Sequence, residues 1–372
     1  MEYRIDYERG IANRGNLFRL KRLMERAERG EEVRIGFIGG SITQGSLATR
    51  PELCYAHRVY EWWEKTFPQA KLTYINAGIG GTTSQFGAAR VEDDLLSKEP
   101  DFVLIEFSVN DESTEHFMET YEGLVRRVYM SHKKPAVLLA HNVYYHNGAN
   151  AQVMHGRIAR HYDLPSVSMQ SSIYPEVVAG HIENRAITPD DLHPNDEGHA
   201  LVASVITYFL EKVRGEGTTG ETEPPFPQPL TQNAYECSER YRNDNSAPKL
   251  SGFTADLSPQ RDITDCFKRG WIASEEGDTI TFSVRGSGIA VQYRKSVKLP
   301  APVAEVVVDG DDAHAMRLDA NFDETWGDKL ELDTVLEHGE YKEHEVVVRL
   351  VETHENDAVP FYLVSVIGSA RP

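Results

Sequence analysis

The sequence has few cysteines, no long hydrophobic run and a shortage of basic residues. Its three cysteines are widely spaced and include no Cys-x-x-Cys pair, so they predict neither a disulfide framework nor a zinc site. Reduced thiols of this kind are typical of the cytoplasm. No stretch approaches the roughly 20 apolar residues of a membrane-spanning helix, and the first residues lack the apolar segment of a signal peptide. We therefore expect a cytoplasmic protein that does not enter a membrane.

The charge balance narrows the range of partners. The 372 residues include 39 Lys and Arg against 58 Asp and Glu, which gives a formal net charge of −19. A surface this acidic repels phosphate backbones and anionic lipid, so we expect neither nucleic acid nor membrane as a partner. A neutral ligand such as a sugar or an ester agrees better with this charge.

Histidines are present, but not in the spacing of a metal site. They lack the H-E-x-x-H pattern, and the GIGGTT segment lacks the Lys-Ser/Thr pair that follows a phosphate loop. We therefore expect no metal and no cofactor. His199, in the last helical segment of the first half, is expected on the surface. The scattered histidines are His141, His146, His155, His161 and His199.

Residues 1–214 alternate apolar runs of strand length with amphipathic segments of helix length, a pattern typical of a parallel sheet covered by helices on both faces. Before the first helix, residues 1–15 are expected to form an arm over this domain. The predicted strands are 33–38, 71–76, 101–107, 135–140 and 166–169. The predicted helices are 16–29, 55–66, 84–96, 115–132, 151–161 and 195–214.

The composition changes at residues 215–230, where Gly, Thr, Glu and Pro predict a linker. Helical periodicity is absent from residues 231–372, which contain short alternating or apolar runs separated by turn residues. Such spacing is typical of a β-sandwich, here an all-β domain of jelly-roll type. The predicted strands are 278–284, 288–293, 303–308, 344–350 and 361–367.

Four short motifs contain the residues that could take part in a chemical reaction. Ser41 follows the first strand in GGSIT, NAGIGGT follows the second, and Asn110 follows the third in VND. A fourth motif, DDLHP, precedes the last helix. Because the carboxyl ends of parallel strands meet at one edge of a sheet, we expect the first three to lie close together. Taken singly, Ser41 or Asn110 could equally be a helix cap.

Together these motifs resemble the four sequence blocks of the SGNH (GDSL-type) hydrolase superfamily of esterases and acylhydrolases. The resemblance covers residues 30–214 and implies a three-layer, flavodoxin-like hydrolase domain. Two positions depart from the family pattern: Gly40 stands where the family has aspartate, and Ser108 where it has glycine. Neither departure removes a catalytic atom.

The resemblance assigns roles that ester cleavage requires. A hydroxyl nucleophile needs a base, and the base needs an orienting acid. Ser41 is expected to attack the acyl carbonyl, His193 to transfer the proton, and Asp190 to orient His193. Asp191 is the alternative acid, although the Asp-x-x-His spacing favours Asp190.

The negative oxygen formed in the reaction needs hydrogen-bond donors directed at it. The resemblance implies that the backbone N–H groups of Ser41 and Gly81 and the side-chain amide of Asn110 supply them. Gly80 is the alternative to Gly81, since the placement of the family's glycine is uncertain by one residue.

The GGSIT form of the nucleophile motif and the two-domain arrangement resemble those of carbohydrate esterase family 17. This implies removal of acetyl groups from acetylated manno-oligosaccharides, with preference for the 2-hydroxyl, and a sandwich like carbohydrate-binding family 35. In the second domain, Asn321, Asp323 and Trp326 belong to a polar stretch with aromatics that is suited to sugar binding. Equally, those aromatics could pack into the sandwich. Trp271 is expected in the core.

Other functions stay open at this point. A lipase or thioesterase of the same superfamily would need a long apolar groove, and a xylan acetylesterase would differ only in its sugar. A non-catalytic sugar-binding protein is disfavoured by the complete set Ser41, Asn110, Asp190 and His193. The expected partner is an acetylated oligosaccharide, and assembly into a homo-oligomer is compatible with the sequence.

Overall fold

A computed structural model describes residues 3–217 and 220–372. Residues 1 and 2 of the predicted arm and residues 218 and 219 of the predicted linker lie outside this description. The chain divides into two compact units, Met1–Asn233 and Ala234–Pro372. No helix in the described ranges is long and apolar enough to cross a membrane.

The first unit is built on a six-stranded sheet with the strand order β1-β6-β5-β4-β2-β3. Strands β2 to β6 are parallel, in the order typical of flavodoxin-like folds, so the predicted α/β class is confirmed. β1 pairs antiparallel with β6, so part of the expected arm extends the sheet. The strands are β1 (Ile11–Asn13), β2 (Glu32–Gly39), β3 (Lys71–Gly78), β4 (Phe102–Glu106), β5 (Ala136–His141) and β6 (Ser166–Ser168).

Helices cover both faces of this sheet. Three of them escaped prediction: α2 and α8 are single turns, and α7 contains Pro175, which usually interrupts a helical pattern. The helices are α1 (Phe18–Glu28), α2 (Ser41–Gln44), α3 (Tyr55–Thr66), α4 (Ser84–Asp94), α5 (Glu115–Tyr129), α6 (Gln152–His161), α7 (Met169–Val178), α8 (Asn184–Ile187) and α9 (Asp196–Gly215).

The second unit consists of two antiparallel sheets, so the predicted all-β class is confirmed. One has the order β15-β12-β17-β10-β9, with β7 also paired to β17, and the other has the order β14-β13-β16-β11-β8. Trp271 is buried in the core, as predicted. The strands are β7 (Cys237–Tyr241), β8 (Lys249–Ser251), β9 (Thr254–Ala255), β10 (Trp271–Ala273), β11 (Thr279–Gly286), β12 (Gly288–Lys295), β13 (Val303–Val308), β14 (Met316–Asp319), β15 (Lys329–Leu336), β16 (Lys342–Glu352) and β17 (Phe361–Ala370).

The described part of residues 216–231, here called the strap, packs along the first unit. Glu122 is buried in α5 and accepts hydrogen bonds from the backbone N–H groups of Leu230 (2.6 Å) and Thr231 (2.8 Å). Near the other end, Glu221 accepts from the backbone N–H of Leu17 (2.8 Å). These contacts attach to the first unit a segment whose composition predicts a linker.

Phe226 is the aromatic anchor of the strap. Its ring stacks on Tyr129 and Tyr162, with centroid distances of 5.1 and 5.0 Å. The guanidinium carbon of Arg126 lies 4.8 Å from the Phe226 centroid. Each such contact stabilises by roughly 0.5–1.5 kcal/mol, so the ring is the main apolar attachment of the strap.

We predict that Phe226→Ala lowers the free energy of unfolding of the first unit by about 1–3 kcal/mol, because the two stacked rings lose their partner. The variant should also be cleaved faster by protease within residues 216–231. Urea denaturation and limited proteolysis measure the two effects. Gln228→Ala is the control, because the Gln228 side chain is exposed and only its backbone carbonyl accepts from His161. Equal cleavage of both variants would show that the strap is not anchored by Phe226.

Candidate active site

The site begins where β2 ends in Gly39, Gly40 and Ser41. A Cβ at Gly40 would lie 2.1 Å from the Asn110 side-chain oxygen and 3.0 Å from its nitrogen. Since real Cβ atoms do not approach so closely, the Asn110 amide and a side chain at position 40 cannot both occupy this space. In this structure the Asn110 side chain therefore occupies the space that a side chain at position 40 would need.

Ser41, His193 and Asp190 form a continuous hydrogen-bonded chain. The His193 Nε2 atom lies 2.8 Å from the Ser41 Oγ, and the His193 Nδ1 atom lies 2.6 Å from an Asp190 carboxylate oxygen. A carboxylate only accepts hydrogen bonds, so the His193 proton lies on Nδ1 and Nε2 is free to accept from the Ser41 hydroxyl. The three side chains therefore have the geometry of a nucleophile, a base and an orienting acid.

The Asp190 carboxylate is held in place by hydrogen bonds within the turn that leads to His193. Its second oxygen accepts from the backbone N–H groups of His193 (2.7 Å) and Leu192 (3.1 Å). Partial burial opposes ionisation of Asp190, but these bonds and the one from the His193 ring outweigh it and keep the pKa of Asp190 below its ordinary value. The acid is therefore charged at neutral pH, and the 46% exposure of its side chain also favours the charged form.

Asp191, the alternative acid, points elsewhere. Its carboxylate accepts from the Asn184 amide (2.5 Å) and forms an ion pair with Arg185 (2.7 Å). Its backbone has a φ of 70°, and its carbonyl accepts from the Tyr145 N–H (2.8 Å). Asp191 thus shapes the loop before His193, whereas Asp190 contacts the His193 ring.

The two candidate N–H donors in the glycine turn after β3, those of Gly80 and Gly81, have different hydrogen-bond environments. The Gly80 N–H donates to the Gln44 side chain at 2.6 Å, so it is already used. Gly81 has a φ of 67°, a left-handed conformation that favours glycine, and its N–H has no hydrogen-bond partner within the described ranges. The geometry thus leaves Gly81 as the available donor of this turn.

Two further donors border the Ser41 hydroxyl. Ser41 is the first residue of the one-turn helix α2, so its backbone N–H has no acceptor within the helix. The Asn110 side chain packs over Gly40, next to Ser41. Ser41, Gly81 and Asn110 therefore offer the types of donor that a developing negative oxygen requires.

Ser108, the second departure from the family pattern, pairs with a carboxyl group that the sequence did not single out. Its N–H and its hydroxyl lie 3.0 and 2.9 Å from the same oxygen of Glu106, at the end of β4. Glu106 is fully buried, and burial raises its pKa to about 7. A glycine at position 108 would leave this oxygen without the hydroxyl contact.

His199 is buried, so its expected surface position is wrong. Its Nδ1 accepts from the Tyr55 N–H (3.2 Å), and its Nε2 lies 3.2 Å from the Ser46 carbonyl. Burial lowers its pKa to about 4, so the ring is neutral at physiological pH. His199 joins the helix that follows His193 to the loop that follows Ser41, a role that sequence spacing could not reveal.

The sugar-binding residues expected in the second unit have different environments. Asn321 is a structural clamp, because its side chain accepts from the Ala301 N–H and donates to the Ala301 carbonyl, both at 2.9 Å. Asp323 is exposed, and Trp326 is 61% exposed with its ring edge against Phe322. Trp326 is therefore not packed into the sandwich core, and it and Asp323 are open to a ligand.

In the ranges 3–217 and 220–372, no group of three or more His, Cys, Asp or Glu residues is placed to hold a metal ion. The Ser41 site contains the groups for acyl transfer through a covalent serine ester instead.

Comparison with known proteins gives the same family for the first unit. The profile of the GDSL-like lipase/acylhydrolase family matches residues 37–201. An acetylxylan esterase from Geobacillus stearothermophilus is 24% identical over 213 residues, covering 50% of this chain and 95% of that protein. An arylesterase from Vibrio mimicus is 27% identical over 177 residues, covering 42% of this chain and 82% of that protein.

Two solved structures match the entire chain. Both are of a two-domain esterase active on acetylated mannans, at 74% sequence identity. The form co-crystallised with mannopentaose has a TM-score of 0.97 and covers 100% of this chain and 99% of that chain. The other has a TM-score of 0.98 and covers 99% of this chain and all of that one.

We predict that Asp190→Asn and Asp191→Asn separate the roles of the two neighbouring acids. Asp190→Asn should lower kcat for a small acetate ester by roughly 10²–10⁴-fold, because His193 loses its charged orienting partner. Asp191→Asn should keep kcat within about threefold and change the stability only slightly, because exposed ion pairs contribute little.

Steady-state kinetics and thermal unfolding of both variants check this prediction. Each variant serves as the control for the other, since both remove one negative charge from the same loop. A loss of kcat in Asp191→Asn as large as that in Asp190→Asn would contradict the assignment.

Proposed function

Because the chain belongs to the GDSL-type (SGNH) hydrolase family and is a carboxylic ester hydrolase, we propose that it removes O-acetyl groups from acetylated manno-oligosaccharides. The observation that carries the proposal is the hydrogen-bonded chain Ser41–His193–Asp190. The 74% identity to an esterase active on acetylated mannans supports the choice of substrate.

In the first half of the reaction, Ser41 Oγ attacks the acetyl carbonyl carbon while His193 Nε2 takes the hydroxyl proton. The carbonyl oxygen becomes negative, and the N–H groups of Ser41 and Gly81 and the Asn110 amide donate to it. Each donor contributes about 3–4 kcal/mol in comparable sites. The ester bond then breaks, His193 returns the proton to the sugar oxygen, and the acetyl group stays on Ser41.

In the second half, water replaces the sugar. His193 takes a proton from the water, the resulting hydroxide attacks the acetyl carbonyl, and the same donors stabilise the negative oxygen. Collapse of this intermediate releases acetate, and the proton returns from His193 to Ser41 Oγ. Throughout, the Asp190 carboxylate stabilises the positive charge on the His193 ring without taking its proton.

The second unit has a proposed role in holding the glycan. Exposed aromatic rings with polar neighbours suit a sugar, since the apolar ring face covers C–H groups while carboxylates and amides bind hydroxyls. Trp326 and Asp323 keep this role in the proposal. Asn321 supports their loop rather than the sugar, because its amide is engaged with Ala301. The cytoplasmic location expected from the reduced cysteines stays a prediction.

We predict that the wild type releases acetate from acetylated manno-oligosaccharides and that Ser41→Ala lowers the rate by at least about 10³-fold, because it removes the hydroxyl that His193 Nε2 contacts at 2.8 Å. Mass spectrometry before and after treatment counts the acetyl groups removed. Product analysis by NMR identifies their position, which we propose to be the 2-hydroxyl on the basis of the resemblance to carbohydrate esterase family 17.

Parallel reactions distinguish the alternatives. Acetylated xylo-oligosaccharides test the xylan esterase, and p-nitrophenyl octanoate against the acetate tests the lipase or thioesterase. Faster turnover of xylan substrates or a strong preference for octanoate would contradict the proposal. A fluorophosphonate that fails to label Ser41 would instead indicate a non-catalytic protein.

For the second unit, we predict that Trp326→Ala raises KM for acetylated mannopentaose by about three- to tenfold, a loss of roughly 1 kcal/mol in binding. Kinetics on p-nitrophenyl acetate should not change, because that ester has no glycan. Tyr341→Ala is the control, since Tyr341 is an equally exposed aromatic at 59%. Equal KM values for Trp326→Ala and the wild type would remove Trp326 from the binding site.

A further inference from the structure

Asp111 is a buried carboxylate between the two loops that supply the oxyanion donors. It directly follows Asn110, and its side chain has no exposed surface. One oxygen accepts from the Ser84 N–H at 2.9 Å, and the other lies 3.0 Å from the His155 Nε2. A buried carboxylate is costly unless its oxygens are bonded, so both contacts are needed.

The Ser84 contact ties the Asn110 loop to the glycine turn. Ser84 is the first residue of α4 and lies three residues after Gly81. The Ser84 hydroxyl is also bonded to Thr120 Oγ1 at 2.7 Å, which fixes this end of α4 against α5. Through one carboxylate, the Asn110 amide and the Gly81 N–H are therefore held in a fixed relation.

The second partner of Asp111 is itself immobile. His155 lies in α6, is fully buried, and stacks on Tyr121 with a centroid distance of 3.6 Å and an interplanar angle of 4°. At the start of the same helix, the Ala151 N–H donates to the Ser108 carbonyl at 2.7 Å. Thus α6 contacts the Asn110 loop twice, once through the backbone and once through His155.

We propose that His155 is a positioning residue of the esterase: acting through Asp111, it sets the placement of the Asn110 amide and the Gly81 N–H. This inference rests on the proposed function and deepens it. Donors to a developing negative charge must be in place before the reaction, within roughly 0.5 Å. Without the His155 N–H, one Asp111 oxygen is left buried and unpaired, so the carboxylate and its neighbour Asn110 must move.

The structure contains a matched pair outside this site. In the second unit, His344 is 3% exposed, and its Nδ1 lies 2.9 Å from one oxygen of Asp309. The other Asp309 oxygen accepts from the Glu345 N–H at 3.0 Å. The pair repeats the contact of a buried histidine with a carboxylate, in a unit that supplies none of the oxyanion donors; Asp309 differs from Asp111 in being 35% exposed and in pairing also with Lys342 at 2.9 Å.

The experiment compares His155→Phe, His155→Gln and His344→Phe on p-nitrophenyl acetate, with rates normalised to the active sites titrated by a fluorophosphonate. We expect His155→Phe to lower kcat by about 10–100-fold with KM within threefold, because the donors act on charge that develops after binding. His155→Gln, whose amide nitrogen can replace Nε2, should recover kcat to within about fivefold of the wild type. His344→Phe should leave normalised kcat unchanged.

A double-mutant cycle with Asn110→Ala tests whether His155 acts through the oxyanion donors. If it does, the fold-loss in kcat caused by His155→Phe in the Asn110→Ala background should be roughly a third or less of the fold-loss it causes in the wild type. The loss that is left in the Asn110→Ala background then reflects Gly81. The same fold-loss in both backgrounds would overturn the inference, as would equal kcat for His155→Phe and the wild type. A general folding defect lowers the titrated sites, not the rate per site.

Should His155→Phe not fold, Asp111→Asn takes its place in the cycle. Its amide still provides an acceptor for Ser84, and the same non-additivity with Asn110→Ala is expected. The outcome is separable from that of the proposed function. If the fluorophosphonate labels the wild type and Ser41→Ala is inactive, the esterase stands, and additive losses then refute only the role of His155.

Discussion

The close contact between the Gly40 backbone and the Asn110 amide is the constraint on which the site depends. It joins the ends of β2 and β4, which are neighbours in the parallel sheet. A Cβ at position 40 would lie 2.1 Å from the Asn110 side-chain oxygen, so one of the two would have to shift, and Asn110 is the only side-chain donor proposed for the oxyanion. The glycine at position 40 is thus compatible with this placement of Asn110 at the edge of the site.

Behind this contact lies a layer of buried polar groups that determines where the loops can rest. Glu106 holds Ser108, Asp111 holds Ser84, and His155 holds Asp111. Buried polar groups stabilise only when their hydrogen bonds are made, so each pairing specifies one loop conformation and disfavours others. The site is made largely of loops, and these hydrogen bonds to the helices and strands beneath hold the loops in position.

Sequence reasoning went furthest where the signal is local. The alternation of apolar runs gave the parallel sheet, and Asp-x-x-His placed the acid and base three residues apart, within one turn. It failed where tertiary contacts overrule composition. The composition of residues 215–230 predicts a linker, but it could not show that Phe226 stacks on Tyr129, at the end of α5, and on Tyr162, just after α6. Likewise, nothing near His199 or His155 in the sequence shows that each ring is buried against a distant loop.

The contacts among Ser41, His193 and Asp190 differ greatly in the sequence separation that they bridge. This difference has a consequence for the rate of folding. The Asp190–His193 contact spans three residues and can form in a single turn, whereas the His193–Ser41 contact spans 152 residues. Closing so long a loop carries a large entropic cost, which is offset only when the sheet and α9 have assembled. Recovery of esterase activity during refolding should therefore report the completed tertiary structure of the first unit, and lag behind any signal from its helices.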